Sequence, residues 1–282
     1  MKKLNRIAVV PDVHGSDFWK EAKENIDSLD KVIFLGDYLD AYLDIYVKVL
    51  IFPSTYLYKK ELEARKVELN NFKEILEFKK AYPEKVTLLL GNHDTGYLLK
   101  LSCSRQARGK IYKTYKRLFE DNINLFKLTE YVELENEKIL FSHAGISEKW
   151  LKQIKQEQGL DSISLKTSFL DGSFNKLILK YNEPGYREFL SQALGLVGPA
   201  RGGNINDNGS IVWADKSEWK DQKNIFGDIK QIVGHSKSYS PVDLTEGVRC
   251  IDTIDSKVLY LWELQKIFPK IRVLSESENK NQ

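Results

Sequence analysis

Five times along this chain a short apolar run, of the kind that forms a buried strand, stops at a glycine-containing turn that carries Asp, His or Asn. The turns are Asp12-Val13-His14-Gly15, Gly36-Asp37-Tyr38-Leu39-Asp40, Gly91-Asn92-His93-Asp94, Ser142-His143-Ala144-Gly145 and Gly234-His235-Ser236. In α/β sheets the carboxyl ends of strands and the loops after them form the ligand crevice. The chain has four histidines, His14, His93, His143 and His235, and all four fall in these turns. One such turn alone would be weak, because an isolated His near a strand end is more often a hydrogen-bonded structural residue. The whole histidine complement together with nearby carboxylates is a different matter and points to one composite site.

The segments between the turns support an α/β architecture. Leu4 to Val10 reads as a strand, Ser16 to Ser28 as a helix with Ser16 near its N-cap, and Lys31 to Leu35 as the next strand. Glu61 to Ala81 carries Leu62, Leu69, Phe72 and Leu76 at helical spacing, and Val86 to Leu90 is strand again. This β-α-β-α-β order implies parallel pairing with helical crossovers. Further on, Tyr131 to Leu134 and Ile139 to Ser142 suggest a hairpin, and Ser147 to Gln158 and Lys176 to Leu194 suggest helices. Ile229 to Val233, Val248 to Asp252 and Lys257 to Leu264 read as closing strands. The expectation is an αββα sandwich: two mixed β-sheets flanked by helices, with the site at the carboxyl ends of the strands. We expect one domain over residues 1–274, with residues 41–58 as an insertion and the polar residues 275–282 as a disordered tail.

Composition narrows the function classes. The 43 basic and 40 acidic residues nearly balance, to a net charge of +3, so no specific nucleic-acid binding is expected. Cys103 and Cys250 stand far apart without a CxxC pattern, which excludes a disulfide framework, and no cysteine lies near the five turns, which disfavours a structural zinc site. The apolar stretch Ala41 to Tyr58 is broken by Asp44, Lys48 and Pro53, so it is no transmembrane helix. The apolar run Ile7 to Val10 is too short for a signal-peptide core. A cytoplasmic protein is expected.

The five turns, in this order, resemble the motif set of the calcineurin-like metallophosphoesterase superfamily. The phosphoprotein-phosphatase branch, which includes serine/threonine phosphatases and diadenosine tetraphosphatases, is the most similar. The resemblance runs from Val10 to Ser236, and Cys250-Ile251-Asp252-Thr253 resembles that family's late strand. It implies that Asp12 and His14 bind a first metal ion and that Asp37 bridges two ions. Asn92, His143 and His235 would complete the second, while His93, oriented by Asp40, would face the leaving group. Two divalent ions are implied, with manganese first and iron or zinc as alternatives, a choice that suits carboxylate, imidazole and amide oxygen ligands. Two such ions bring four positive charges against two from Asp12 and Asp37, so even with a bridging hydroxide the site favours a phosphate dianion. The hydroxide would attack phosphorus in line.

Three departures from the pattern matter. Pro11 stands where the family often has Gly, and Asp94 stands where the phosphatases have Glu. Most important, Asp40 is followed by Ala41-Tyr42 instead of Arg-Gly, so the phosphate-gripping arginine is missing, and alanine cannot replace a bidentate guanidinium. Arg201, in Ala200-Arg201-Gly202-Gly203, is the first replacement candidate, against the competing reading of a plain surface-loop arginine. Arg105 and Arg108 are weaker candidates. The last turn, Gly234-His235-Ser236-Lys237, lacks the second histidine of many nucleases and phosphodiesterases, which favours the phosphatase side. Ile211-Val212-Trp213-Ala214-Asp215 resembles a family strand, with Trp213 read as a packing residue. The leading expectation is a phosphomonoesterase acting on phosphoproteins or small phosphate esters. The alternative is a dinucleoside polyphosphate hydrolase. A non-catalytic scaffold ranks below both, because no ligand type has been lost.

Overall fold

A computed structural model of the chain describes residues 6–41, 55–134, 137–158 and 162–260. Its described strands form two five-stranded sheets. The first contains β1 (Ile7–Val10), β2 (Lys31–Phe34), β3 (Val86–Leu89) and β4 (Phe126–Lys127), all parallel, with β10 (Leu259–Tyr260) antiparallel to β1 at one edge. The second has the order β5 (Thr129–Glu133), β6 (Lys138–Ser142), β7 (Ile229–Val233), β9 (Val248–Cys250), β8 (Val242–Thr245). There β6, β7 and β9 run parallel, and β5 and β8 are antiparallel edges.

Alternation along each strand divides the core. Ile7, Val9, Ile33, Leu35 and Leu89 meet Val132, Ile139, Phe141, Ile232 and Ile251 of the second sheet. The intervening Ala8, Val10, Val32, Phe34, Val86 and Leu88 pack against Trp19, Phe72, Phe78, Tyr97 and Phe119. Both faces of the first sheet are therefore buried, which is why its strands read as unbroken apolar runs. The expected sandwich of two mixed sheets with helices outside is what the fold shows.

Several boundaries differ from the sequence reading. Between Ser16 and Ser28 the regular helix is only α1 (Lys20–Glu24), followed by a tight turn over Ile26–Ser28. Ser16 is not its cap: Trp19 is, and the Ser16 carbonyl accepts from Asn71 Nδ2. The helix expected from Glu61 begins earlier, giving α2 (Thr55–Ala81). Residues 42–54 of the expected insertion and the tail 275–282 lie outside the described residues, as do residues 135–136 of the hairpin turn. Four helices were not read from the pattern or were misjoined: α3 (Asn92–Leu99), α4 (Gly109–Asp121), α6 (Ser162–Leu170) and α7 (Asn175–Ile178). α5 (Glu148–Gln158) matches its expectation. The expected helix Lys176 to Leu194 is interrupted, and α8 (Pro184–Leu194) starts afresh at Pro184. Proline bars the preceding Glu183 from helical backbone, and Glu183 is extended here. Ile211-Val212-Trp213 is not a strand but a tight turn, with the amides of Trp213 and Ala214 both bonded to Ser210 O at 2.9 Å.

Candidate metal centre

The turns after β1, β2, β3, β6 and β7 converge on one point between the sheets. The loops after β1 and β2 run side by side: His14 N donates to Asp37 O (2.7 Å) and Gly15 N to Tyr38 O (3.0 Å). Within the second sheet, the turns after β6 and β7 are joined in the same way, Gly234 N donating to His143 O at 2.7 Å. Close approach explains the glycines. A Cβ on Gly91 would stand 2.1 Å from Asp37 Oδ1, and one on Gly234 2.6 Å from Asp12 Oδ1. The backbone also carries strain at the site. His14 (φ 43°), Asp37 (φ 52°), Asp40 (φ 64°) and His235 (φ 69°) all occupy the left-handed region that L-residues avoid. Such outliers persist only where surrounding structure holds them, and they gather at functional sites.

Asp12, His14, Asp37, Asn92, His93, His143 and His235 are all buried and brought together. Asp37 Oδ2 lies 3.5 Å from His14 Nε2 on one side and 3.6 Å from His143 Nε2 on the other. His143 Nε2 is in turn 3.1 Å from both Asn92 Oδ1 and His235 Nδ1. Asp12 Oδ2 is 3.9 Å from His14 Nε2, while its Oδ1 accepts from His235 N at 3.0 Å. Two clusters, His14-Asp37-His93 and Asp37-His143-His235, have ligand atoms within 4.8 Å of one another and share Asp37.

Lone pairs decide whether these residues suit a cation. Nδ1 of His14 lies 2.9 Å from Leu39 O and Nδ1 of His143 lies 2.9 Å from Leu35 O. A carbonyl can only accept, so both rings carry their proton on Nδ1 and present bare Nε2 lone pairs to Asp37. Burial, then the neighbouring His93 charge, pushes His14 down to about 3, and burial likewise lowers His143 and, with His143 next, His235. Asp37 is shifted the other way, raised by burial and then by the charges of Asp12 and Asp94. A pocket of neutral imidazoles and crowded carboxylates, with lone pairs aimed at one another, is suited to divalent cations.

His93 sits beside this pocket, its ring centroid 5.1 Å from that of His14 and perpendicular to it. Its Nδ1 is 2.8 Å from Asp40 Oδ2. The other Asp40 oxygen accepts from Tyr97 OH (2.7 Å) and Arg65 Nη1 (3.1 Å). Arg65 also donates to Glu68 Oε2 (3.1 Å) and to the Arg105 carbonyl (2.6 Å). Asp94, standing where the phosphatases have Glu, accepts from the amides of Asp37 (2.7 Å), Tyr38 (3.1 Å) and Gly91 (2.8 Å), and so locks the second turn to the third.

A family model described as calcineurin-like phosphoesterase matches residues 5–262. The chain belongs to the calcineurin-like phosphoesterases. It is thus a phosphoester hydrolase of a metal-dependent family, with His and Asp groups that can hold metal. Among solved structures, this phosphoesterase is similar to the cold-active protein-tyrosine phosphatase of a psychrophilic Shewanella species. The two share 14% identity at a TM-score of 0.44, over 88% of this chain and 71% of that one. It is also similar to a serine/threonine phosphatase from Saccharomyces cerevisiae, with 13% identity, a TM-score of 0.39, and 88% and 66% covered. No curated protein sequence matches it. Among its described residues no helix is long and apolar enough to cross a membrane.

The phosphoesterase's arginines are distributed differently from the sequence expectation. Where the family arginine would follow Asp40, Ala41 donates its amide to Glu68 Oε1 (2.7 Å). Arg201 lies at the rim near His235, paired with Asp215 (2.8 Å) and donating to His235 O (3.3 Å) and Ser236 Oγ (3.2 Å). Arg105 lies on the Asp40 side of the site. Its Nε donates to Asp40 O (3.2 Å), and its charge contributes to lowering both His14 and His93. Arg108 is the exposed residue before α4. The sequence reading missed Arg65, although a charge at position 65 falls on the stripe Leu62, Leu69, Phe72 and is a visible anomaly. It also missed Tyr97, for which no signal existed. Trp213, read as packing, has its ring 6.0 Å from that of His235 at 81°.

Proposed function

We propose that this phosphoesterase is a dinuclear-metal-dependent phosphomonoesterase resembling the serine/threonine protein phosphatases, with manganese as its first-choice metal. The observation that carries the reading is the position of Asp37 Oδ2, nearly equidistant from His14 Nε2 and His143 Nε2. A single carboxylate oxygen between two imidazole lone pairs is the arrangement a bridging ligand requires. Asp12 and His14 would hold one cation, and Asn92, His143 and His235 the other. When bound, two such ions clamp phosphoryl oxygens and lower the pKa of a water.

The remaining chemistry belongs to the chain. Asp40, raised by burial to about 6, is ionised at neutral pH and takes the Nδ1 proton of His93 as a hydrogen bond. That fixes the ring and turns Nε2 toward the pocket. In the free protein burial, followed by the Arg105 charge, lowers His93 to about 3, so Nε2 is bare. A phosphate dianion brought alongside favours the protonated ring, so Nε2 takes up a proton from solvent as substrate binds, and His93 then delivers that proton to the departing oxygen. Arg201, beside His235, and Arg105, beside Asp40, are the guanidinium groups assigned to the phosphate oxygens.

A panel with added Mn²⁺ tests the reading: para-nitrophenyl phosphate, phosphopeptides, diadenosine tetraphosphate and a diester. Inorganic phosphate released from monoesters is the expected product. Nucleoside diphosphates from the dinucleotide as the dominant product would move the assignment to dinucleoside polyphosphate hydrolysis. Asp37→Asn should abolish turnover of the preferred substrate; near-normal rates would remove the bridging role.

A further inference from the structure

Asp252 is a buried carboxylate with no hydrogen-bond donor among the described residues, and the charges of Lys237 and Arg201 nearby do not outweigh its burial and its Asp12 neighbour. It follows β9 by two residues, and the amide of its neighbour Ile251 is bonded to Val233 O at 2.9 Å, so it emerges beside the turn that carries His235. Its backbone is satisfied, with Asp252 O accepting from Ser238 N at 3.1 Å. Its side chain is not. The residue is fully buried, and among the described residues neither carboxylate oxygen has a hydrogen-bond donor. The side chain lies against that of Asp12, and burial first, then the Asp12 charge, raises the Asp252 carboxyl well above the usual carboxylate range. Leaving a buried carboxylate without a donor costs several kcal/mol in the absence of compensation.

Nearby groups are committed elsewhere. Ser236 Oγ accepts from Arg201 Nη2 (3.2 Å) and from Lys216 N (3.0 Å). The Arg201 Nε is held by Asp215 at 2.8 Å. The Cys250 thiol donates to the carbonyls of Gly234 (3.1 Å) and Ser236 (3.3 Å), which pins β9 to the His235 turn. Asp252 stands beside the His235 turn, whose amide donates to Asp12 Oδ1 at 3.0 Å, so its carboxyl lies on the Asp12 side of the pocket. We infer that Asp252 is a further ligand of the cation held by Asp12 and His14, filling a coordination position that the chain after His235 does not supply. This rests on the two-cation reading proposed above. A third carboxylate makes that position harder and more anionic than its partner, so it selects Mn²⁺ or Mg²⁺ over softer ions. The two sites are thereby made unequal.

The test is titration of EDTA-stripped protein with Mn²⁺, following heat and stoichiometry instead of turnover. The unchanged protein should bind two ions. Asp252→Asn keeps the shape and can still donate a hydrogen bond to Asp12, so a merely structural carboxyl would tolerate it. The expected result is one of the two affinities weakened by more than about tenfold, with the other unchanged. Two unchanged affinities would overturn the inference while leaving the two-cation reading intact. Failure of the unchanged protein to bind a second ion would sink that reading and the inference with it. Asp252→Cys with Cd²⁺ gives an independent signature. A thiolate-to-cadmium absorption band beyond that of the unchanged protein, which contains Cys103 and Cys250, is expected, and its absence overturns the assignment even if the Asn variant does not fold.

Discussion

His93 can act only in the state that Asp40 imposes on it. Because the Asp40 carboxylate takes Nδ1–H at 2.8 Å, the ring presents Nε2 to the substrate and cannot turn away. A general acid contributes most where the leaving group is poor. His93→Asn should therefore lower turnover of an alkyl phosphate by about 10²–10⁴-fold and that of para-nitrophenyl phosphate by much less, with metal content intact. Steady-state rates and metal analysis on the same preparation check this. Loss of an ion would instead make His93 a ligand, as its place in the His14-Asp37-His93 cluster permits. At this scale much of the site was visible beforehand, because four histidines in 282 residues all stood at strand-ending turns. Tyr97 and Asp252 were not assigned roles, because their importance lies in which side chains they touch, and contacts across 57 or 240 positions leave no local trace.

The element that couples site to scaffold is the long helix α2. Its apolar residues Phe72, Ile75, Leu76 and Phe78 dock on the first sheet, and Arg65, on the same stripe, reaches Asp40, Glu68 and the Arg105 carbonyl at once. Tyr115 of α4 closes the cluster, donating to Glu68 Oε2 at 2.7 Å. Arg65→Met would leave the Asp40 and Glu68 carboxylates buried without their cation. The expected loss is about 3–5 kcal/mol of unfolding free energy, with slower turnover through a loosened His93. Urea unfolding of the metal-free protein is the measurement, and an unchanged midpoint would refute the role. Helix α2 itself was legible from its 3.6-residue period. Its neighbour α3 was not, since eight residues that open with metal-turn polar groups and include Gly96 show no amphipathic pattern. The break at Pro184 was readable and was overlooked: a proline after Asn182-Glu183 should end a helix.

For the whole molecule, the metal-free pocket is a conflict between two sets of buried groups. His14 and His93, lowered to about 3, contribute stability that is present above their ordinary value near 6.5 and is lost as pH falls toward 3. Asp40, raised to about 6, and Asp37, Asp94 and Asp252, raised by burial, behave oppositely. Their contribution is complete below the ordinary value of 3.8 and is lost as pH rises through their folded values. Between pH 4 and 6 the two sets offset each other, whereas above about 6.5 only the carboxylates still titrate. The melting temperature of EDTA-treated protein should thus fall from pH 6.5 to 9, and Mn²⁺ should remove most of that fall by stabilising the ionised carboxylates. A flat profile without metal would contradict this account of the pocket. The sequence by itself determined the class of fold and the residues that gather at the site. Strand periodicity, turn glycines and the rarity of histidine are local properties, readable one segment at a time. Only the tertiary structure decided that Asp37 lies between two imidazoles, that Arg65 underpins Asp40, and that Asp252 faces Asp12 without a donor. Those facts depend on distances between atoms far apart in the chain, set by how two twisted sheets pack and by which backbone strain that packing can hold.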